Sequence, residues 1–150
     1  MSREYPAFPL VGVGTVILKD GKVLLVRRGA EPAYGKWSVP GGMVELGETL
    51  RVAAAREAKE ETGLDVAVGP LVDIVERVIP DAEGRIQYHF IILDFAAKWL
   101  AGEPIAASDA AAARWVDLDD LESLDTTEGL IPVIRKAKEL VDRAVPGADG

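Results

Sequence analysis

Apolar and polar positions alternate in blocks whose periods change along the chain. Val11–Leu18 is rich in β-branched and apolar residues, Asp20-Gly21 is a hairpin turn signal, and Lys22–Arg28 returns around Val23-Leu24-Leu25-Val26. Gly29–Lys36 reads as a loop, and a short strand at Trp37–Val39 runs into Pro40-Gly41-Gly42. Thr49–Thr62 predicts a helix stopped by Gly63 in the left-handed conformation. Leu64–Ile79 is largely β, broken near Gly69-Pro70; Asp81–Gly84 turns, and Arg85–Trp99 returns as a long strand. Gly102–Ala113 reads as a loop in which Ala110–Ala113 could make a helical turn, Arg114–Asp117 as a short strand, and Leu118–Leu124 as a short helix. From about Gly129 to Ala144 the apolar residues Leu130, Val133, Ile134, Ala137, Leu140 and Val141 follow a helical stripe, with Pro132 in the first turn, where its missing N–H is harmless. A mixed sheet with helices on its faces follows.

Composition narrows the class. At 150 residues the chain is one domain, 1–150, with loose ends at about 1–9 and 145–150. With 49% hydrophobic and 28% charged residues it is neither disordered, collagen-like nor a coiled coil. The absence of cysteine excludes a disulfide scaffold and any thiolate metal site. Seventeen basic residues against 25 acidic give a net charge of -8, which disfavours a nucleic-acid partner. An anionic substrate would need a divalent cation to bridge it to so much carboxylate. Met1–Leu10 has no apolar leader core, and no apolar run approaches the roughly 18 residues of a membrane span. The expectation is a soluble cytoplasmic protein with no membrane partner; a homodimer is compatible with the sequence.

The helix at Thr49–Thr62 carries the chemistry. At 100° per residue, Leu50, Ala53, Ala54, Glu57, Glu61 and Leu64 share one stripe and Glu60 lies beside it. A solvated face with i, i+4 pairs such as Arg56–Glu60 is the bland reading. Against it, a solvated face should lie opposite the apolar stripe rather than continue it. Crowded carboxylates repel one another unless a hard cation shares them, and Mg²⁺ takes carboxylate oxygens.

The spacing is specific. Gly42, five residues, Glu48, seven residues, Arg56-Glu57, Ala58, any residue, Glu60-Glu61, any residue, Gly63-Leu64 resembles the Nudix box at every fixed position over Gly42–Leu64. The resemblance implies an α/β/α sandwich with a central mixed sheet. It also implies a hydrolase that cleaves a nucleoside diphosphate linked to another group, using Mg²⁺ or Mn²⁺, so the expected partner is a small-molecule nucleotide. By resemblance, Glu57, Glu60 and Glu61 are the metal and catalytic carboxylates, and the carbonyl of Gly41 is a further ligand. Gly42 keeps the loop close to substrate and helix. Arg56 orients the carboxylates as an ion-pair partner, Glu48 holds the loop against the helix, and Gly63 ends it.

Many relatives place a Glu in a loop ahead of a Trp-containing strand. Here Ser108-Asp109 and four alanines precede Arg114-Trp115, so Asp109 is either the counterpart or a turn residue. The general base is Asp109 or a box Glu. A proline sixteen residues past the box marks ADP-ribose pyrophosphatases in this family, and Pro80 stands there; its other reading is a residue that ends a strand. Enzymes acting on 8-oxo-dGTP are the rival, but the stretch where they carry a guanine-reading Asn is Gly129-Leu130-Ile131-Pro132 here. A nucleotide-sensing module without catalysis is the alternative from another class; such proteins usually have a degraded box, and this box is intact. Arg27 and Arg28 run toward the glycines and are either phosphate contacts or exposed strand-end charges. Phe8, Tyr34 and Tyr88 could stack on a base or simply pack. His89 reads as a plain strand residue, and Trp37, Trp99 and Trp115 as core anchors.

Overall fold

The computed structural model describes residues 3–105 and 110–144. Seven strands form one mixed sheet: β1 (Leu10–Lys19), β2 (Lys22–Arg28), β3 (Trp37–Ser38), β4 (Gly41–Met43), β5 (Asp65–Pro80), β6 (Ile86–Ala101) and β7 (Ala110–Asp117). Helix α1 (Leu50–Thr62) covers one face and α2 (Leu130–Ala144) the other, with a 3₁₀ turn at Leu118–Ser123. The strand order is β3-β2-β1-β6-β5, with β4 on β1 and β7 on β2; β1 and β6 run parallel and the other named pairs antiparallel. Among the described residues, no helix is long and apolar enough to cross a membrane.

Alternation along β1 and β6 assigns the faces. Val13 and Phe95 pack with Ala53 and Ala54, and Ile17 and Ala97 with Ala58 and Leu64, on the α1 side. Val16 and Ala96 pack with Val133, Ile134 and Ala137 on the α2 side. Both helices begin where the sequence signals place them: Thr49 caps α1 through Val52 N, and Pro132 lies in the first turn of α2.

Several expectations need correction. Gly41-Gly42 is not a loop: Gly41–Met43 pairs with Gly12–Gly14. β5 is not broken at Gly69-Pro70; it runs from Asp65 to Pro80 with a register shift between Val68 and Leu71, so the Gly-Pro pair makes a bulge. Ala110–Ala113 is neither loop nor helical turn but the start of β7, paired through Val26↔Ala113 and Arg27↔Ala112. Sheet pairing here overrides the helix preference of alanine. The start of the chain, expected to be loose, is tied to the β5–β6 turn: Tyr5 N donates to Gln87 O (2.7 Å), Tyr5 Oη to Asp81 (2.8 Å) and Gln87 Nε2 to Glu4 (2.8 Å). The expected loose end at 145–150 lies outside the described residues. The three tryptophans are half-buried flanks of the core rather than its centre.

Candidate active site

The hydrogen-bond pattern of β4 presents one edge to α1. Thr15 N donates to Pro40 O (2.9 Å) and Val44 N to Val11 O (3.0 Å). Antiparallel alternation then puts Gly42 in the bonded pair with Val13 and turns the N–H and C=O of Gly41 and Met43 away from β1. On that side Gly41 N donates to Glu61 Oε1 (3.2 Å), and Met43 O accepts from Arg56 (3.1 Å). The Gly41 carbonyl thus lies on the same side as Glu61. Gly42 is required by space, since a Cβ there would overlap the Glu57 carboxylate.

Arg56 ties the box together. Its Nε reaches Glu48 Oε2 at 2.5 Å and a second nitrogen reaches Glu48 Oε1 at 2.9 Å, a bidentate pair. Its remaining nitrogen serves Glu57 (2.9 Å) and Glu60 (3.0 Å). The Arg56 hydrogen bond, then the N–H of Glu45, lowers the pKa of Glu48 to about 2 against the opposing effect of burial. The hydrogen bond to Glu48 first, and then that to Glu57, push Arg56 further above its ordinary value against the opposing effect of burial. Both roles expected of Arg56, ion-pair partner and member of the i, i+4 pair with Glu60, are present together.

The buried stripe of α1 is Ala53, Ala54, Ala58 and Thr62, ending at Leu64. Glu61, Glu57 and Glu60 fall about 20°, 60° and 120° from Ala54, on the same side as Ala53 and Leu64, while Ala58 and Thr62 lie on the other side. Glu57 and Glu61 thus continue the apolar face of the first turn, and Ala58 and Thr62 widen the buried face away from them. Glu57 and Glu61 are half-buried and Glu60 is exposed, and all three line one cavity. Among the described residues, no three acidic or histidine side chains converge tightly enough to hold a metal ion as they stand. Arg56 draws Glu57 and Glu60 to itself while Glu61 turns to Gly41. The donors fit a hard cation nonetheless: three carboxylates within one turn of helix, beside an outward backbone carbonyl.

The cavity measures about 930 Å³ and extends from these carboxylates across the α2 face of the sheet. Arg27, Arg28, Gly41 and Gly42 line it beside them. Arg28 Nε is bonded to Pro32 O (2.7 Å), bracing the loop after β2, and Arg27 lies over Trp37. Of the three possible stacking residues, only Tyr88 is on the wall, buried and stacked on Phe90 at 5.9 Å; Phe8 and Tyr34 are exposed elsewhere. Pro80 is exposed at the end of β5, outside the cavity lining. Asp109 lies outside the described residues. His89 points to the opposite face from Tyr88 and Phe90.

Sequence reasoning missed the far wall: Asp94, Arg77, Thr127 and Glu128. Arg77 holds Glu128, through its backbone oxygen and its carboxylate (3.3 Å), at the entry to α2. A charge inside Ile91-Ile92-Leu93-Asp94-Phe95 was the available signal, because an Asp in an apolar strand needs a reason.

The NUDIX domain family matches residues 9–137, most of the chain. The chain belongs to the Nudix family. Its members are hydrolases of phosphoanhydride bonds, and this Nudix domain resembles several of them across most of its length. It is 40% identical over 116 residues to an ADP-ribose pyrophosphatase of Methanocaldococcus jannaschii, covering 77% of this chain and 66% of that protein. It is 34% identical over 113 residues to an oxidized purine nucleoside triphosphate hydrolase of Danio rerio, covering 71% of this chain and 65% of that one. The chain thus spans about two thirds of the length of each. Among solved structures, a MutT Nudix hydrolase from Burkholderia pseudomallei superposes with a TM-score of 0.74 at 31% identity, covering 86% of this chain and 98% of that one.

Proposed function

We propose that this Nudix domain is a Mg²⁺- or Mn²⁺-dependent pyrophosphohydrolase acting on a nucleoside diphosphate linked to a second group, with ADP-ribose as the favoured substrate. One observation carries the reading: a single cavity joins a carboxylate edge to an apolar, aromatic-lined floor. Its size suits a nucleotide-sized ligand. The carboxylate edge suits a cation-bound diphosphate, and the floor with Tyr88 and Phe90 suits a nucleoside.

When bound, the cation supplies charge neutralisation at the diphosphate and acidifies an attacking water. The chain's own groups do the rest. Glu57, Glu60 and Glu61 provide the anionic oxygens, and either one of them or Asp109 accepts the proton of the water. Arg56 fixes their orientation, and Gly41 and Gly42 bring the backbone close to the phosphates. Arg27 and Arg28 border the same space with positive charge.

The relative named ADP-ribose pyrophosphatase, at 40% identity, favours that substrate. Pro80, outside the cavity, supports it by sequence position only. The relative named for oxidized purine triphosphates keeps a triphosphate as the second reading. Comparing kcat/KM for ADP-ribose, 8-oxo-dGTP and dinucleoside polyphosphates under one metal decides between them. ADP-ribose should lead and yield AMP and ribose 5-phosphate. A triphosphate ahead by about tenfold, the scale at which pocket contacts discriminate, overturns the substrate assignment.

A further inference from the structure

The carboxyl of Asp94 is a buried polar group on the cavity floor that the chemistry above does not use. Along β6, Tyr88, Phe90, Ile92 and Asp94 occupy alternate positions on the α2 face, and all four line the cavity. Asp94 is only 7% exposed. In register it faces Gly14 of β1, whose missing side chain makes room for it: a Cβ there would overlap Asp94 Oδ1. Val39 closes the other side of the same space. Among the described residues, none donates a hydrogen bond to this carboxyl. Its charged neighbours are Asp73, which repels it, and Arg77, which attracts it; burial dominates both and raises its pKa to about 6. No described set of three metal-ligating side chains includes it.

A buried, unpartnered carboxyl opposes folding and is retained where a ligand supplies what the protein does not. It needs hydrogen-bond donors, which a phosphate lacks and a nucleoside has, as sugar hydroxyls or a base amino group. Gly14 lies between Asp94 and Gly41 in the register of the sheet, so the carboxyl stands between the apolar floor and the carboxylate edge.

We propose that Asp94 is a substrate-binding residue that accepts hydrogen bonds from the nucleoside half of the ligand, and that Gly14 is small to admit its carboxyl. This rests on the nucleotide reading for the ligand's class. The test uses Asp94→Leu and Asp94→Asn in the full chain, with AMP binding by calorimetry, ADP-ribose kinetics and thermal unfolding. Asp94→Leu should keep or raise the Tm, because it removes an uncompensated buried carboxyl. It should weaken AMP binding and raise KM by about tenfold to hundredfold, the loss typical of a hydrogen bond to a charged group, with a smaller change in kcat. Asp94→Asn, which keeps an acceptor and the shape, should fall between and serves if the leucine variant does not fold. Repeating the binding with 2′-deoxy-AMP and IMP locates the donor: the analogue for which wild type and Asp94→Leu bind alike lacks it.

Unchanged AMP affinity and KM in both variants overturns the proposal, as does wild-type protein that binds no AMP. A lowered Tm without any change in AMP affinity or KM makes Asp94 structural and overturns it too. Asp94-dependent AMP binding without hydrolysis of any nucleoside diphosphate sinks the hydrolase reading and leaves this one standing.

Discussion

Glu57, Glu60 and Glu61 occupy one turn of helix, yet their surroundings differ: Glu57 fills the space left by Gly42, Glu61 accepts from Gly41, and Glu60 is exposed beside Arg56. Replacing each with Gln keeps shape and removes charge. Each variant should lose about a hundredfold or more in kcat, the usual cost of removing a key electrostatic group, with folding preserved by circular dichroism. Wild-type turnover by Glu61→Gln at saturating Mg²⁺ would remove it from the chemistry. Glu48 has a different role. Its folded pKa of about 2 lies below the ordinary 4.5, so its ionised form is favoured by folding. The Glu48–Arg56 pair therefore contributes stability that is full above about pH 4.5 and disappears as pH falls through about 2. Urea unfolding of wild type and Glu48→Gln across this range should show a stability gap that closes on acidification. A gap independent of pH would contradict the assignment.

At the level of elements, α1 and β4 form one unit. Thr49 and Gly63 set the ends of the helix, and Arg56 and Glu61 dock it to the outward edge of β4. Gly63 closes α1 at φ 78°, with Gly63 N bonded to Lys59 O at 2.9 Å. An L-residue there meets a left-handed penalty, so Gly63→Ala should lower stability by about 1 kcal/mol in chemical denaturation. Turnover at 25 °C should stay near wild type, because the carboxylates lie upstream of the cap. The ends of α1, the β1–β2 hairpin and the stripe of α2 were legible in the sequence, because each depends on neighbours in the chain. Strand β4 was not. Pro-Gly-Gly carries turn chemistry, and only the edge of β1 beside Gly12–Gly14 makes it a strand. The four alanines of β7 were opaque for the same reason, since their partner, β2, lies some eighty residues earlier.

The whole molecule carries a net charge of -8 and gathers part of it around the cavity. If that cavity takes the proposed diphosphate, turnover requires a cation between the two anions. EDTA should abolish hydrolysis and added Mg²⁺ or Mn²⁺ restore it. Because the cation binds the folded state alone, it should also raise the Tm in proportion to its saturation, and Glu57→Gln or Glu61→Gln should blunt that rise. Full activity in EDTA, or an equal metal-induced rise in both variants, would contradict the metal assignment.

The sequence by itself determined the family and pointed to the carboxylate set proposed above, since a box of seven fixed positions within 23 residues lies mostly on one helix, where spacing along the chain is spacing in space. The tertiary structure decided what stands opposite the box. Asp94, Arg77 and Glu128 come from β6, β5 and the approach to α2, and only the parallel pairing of β1 with β6 and the packing of α2 put them on one cavity with Glu57. The same packing left Pro80 outside that cavity. Contacts set by distant strand register have no periodicity in the chain, which is why the box was legible and the wall facing it was not.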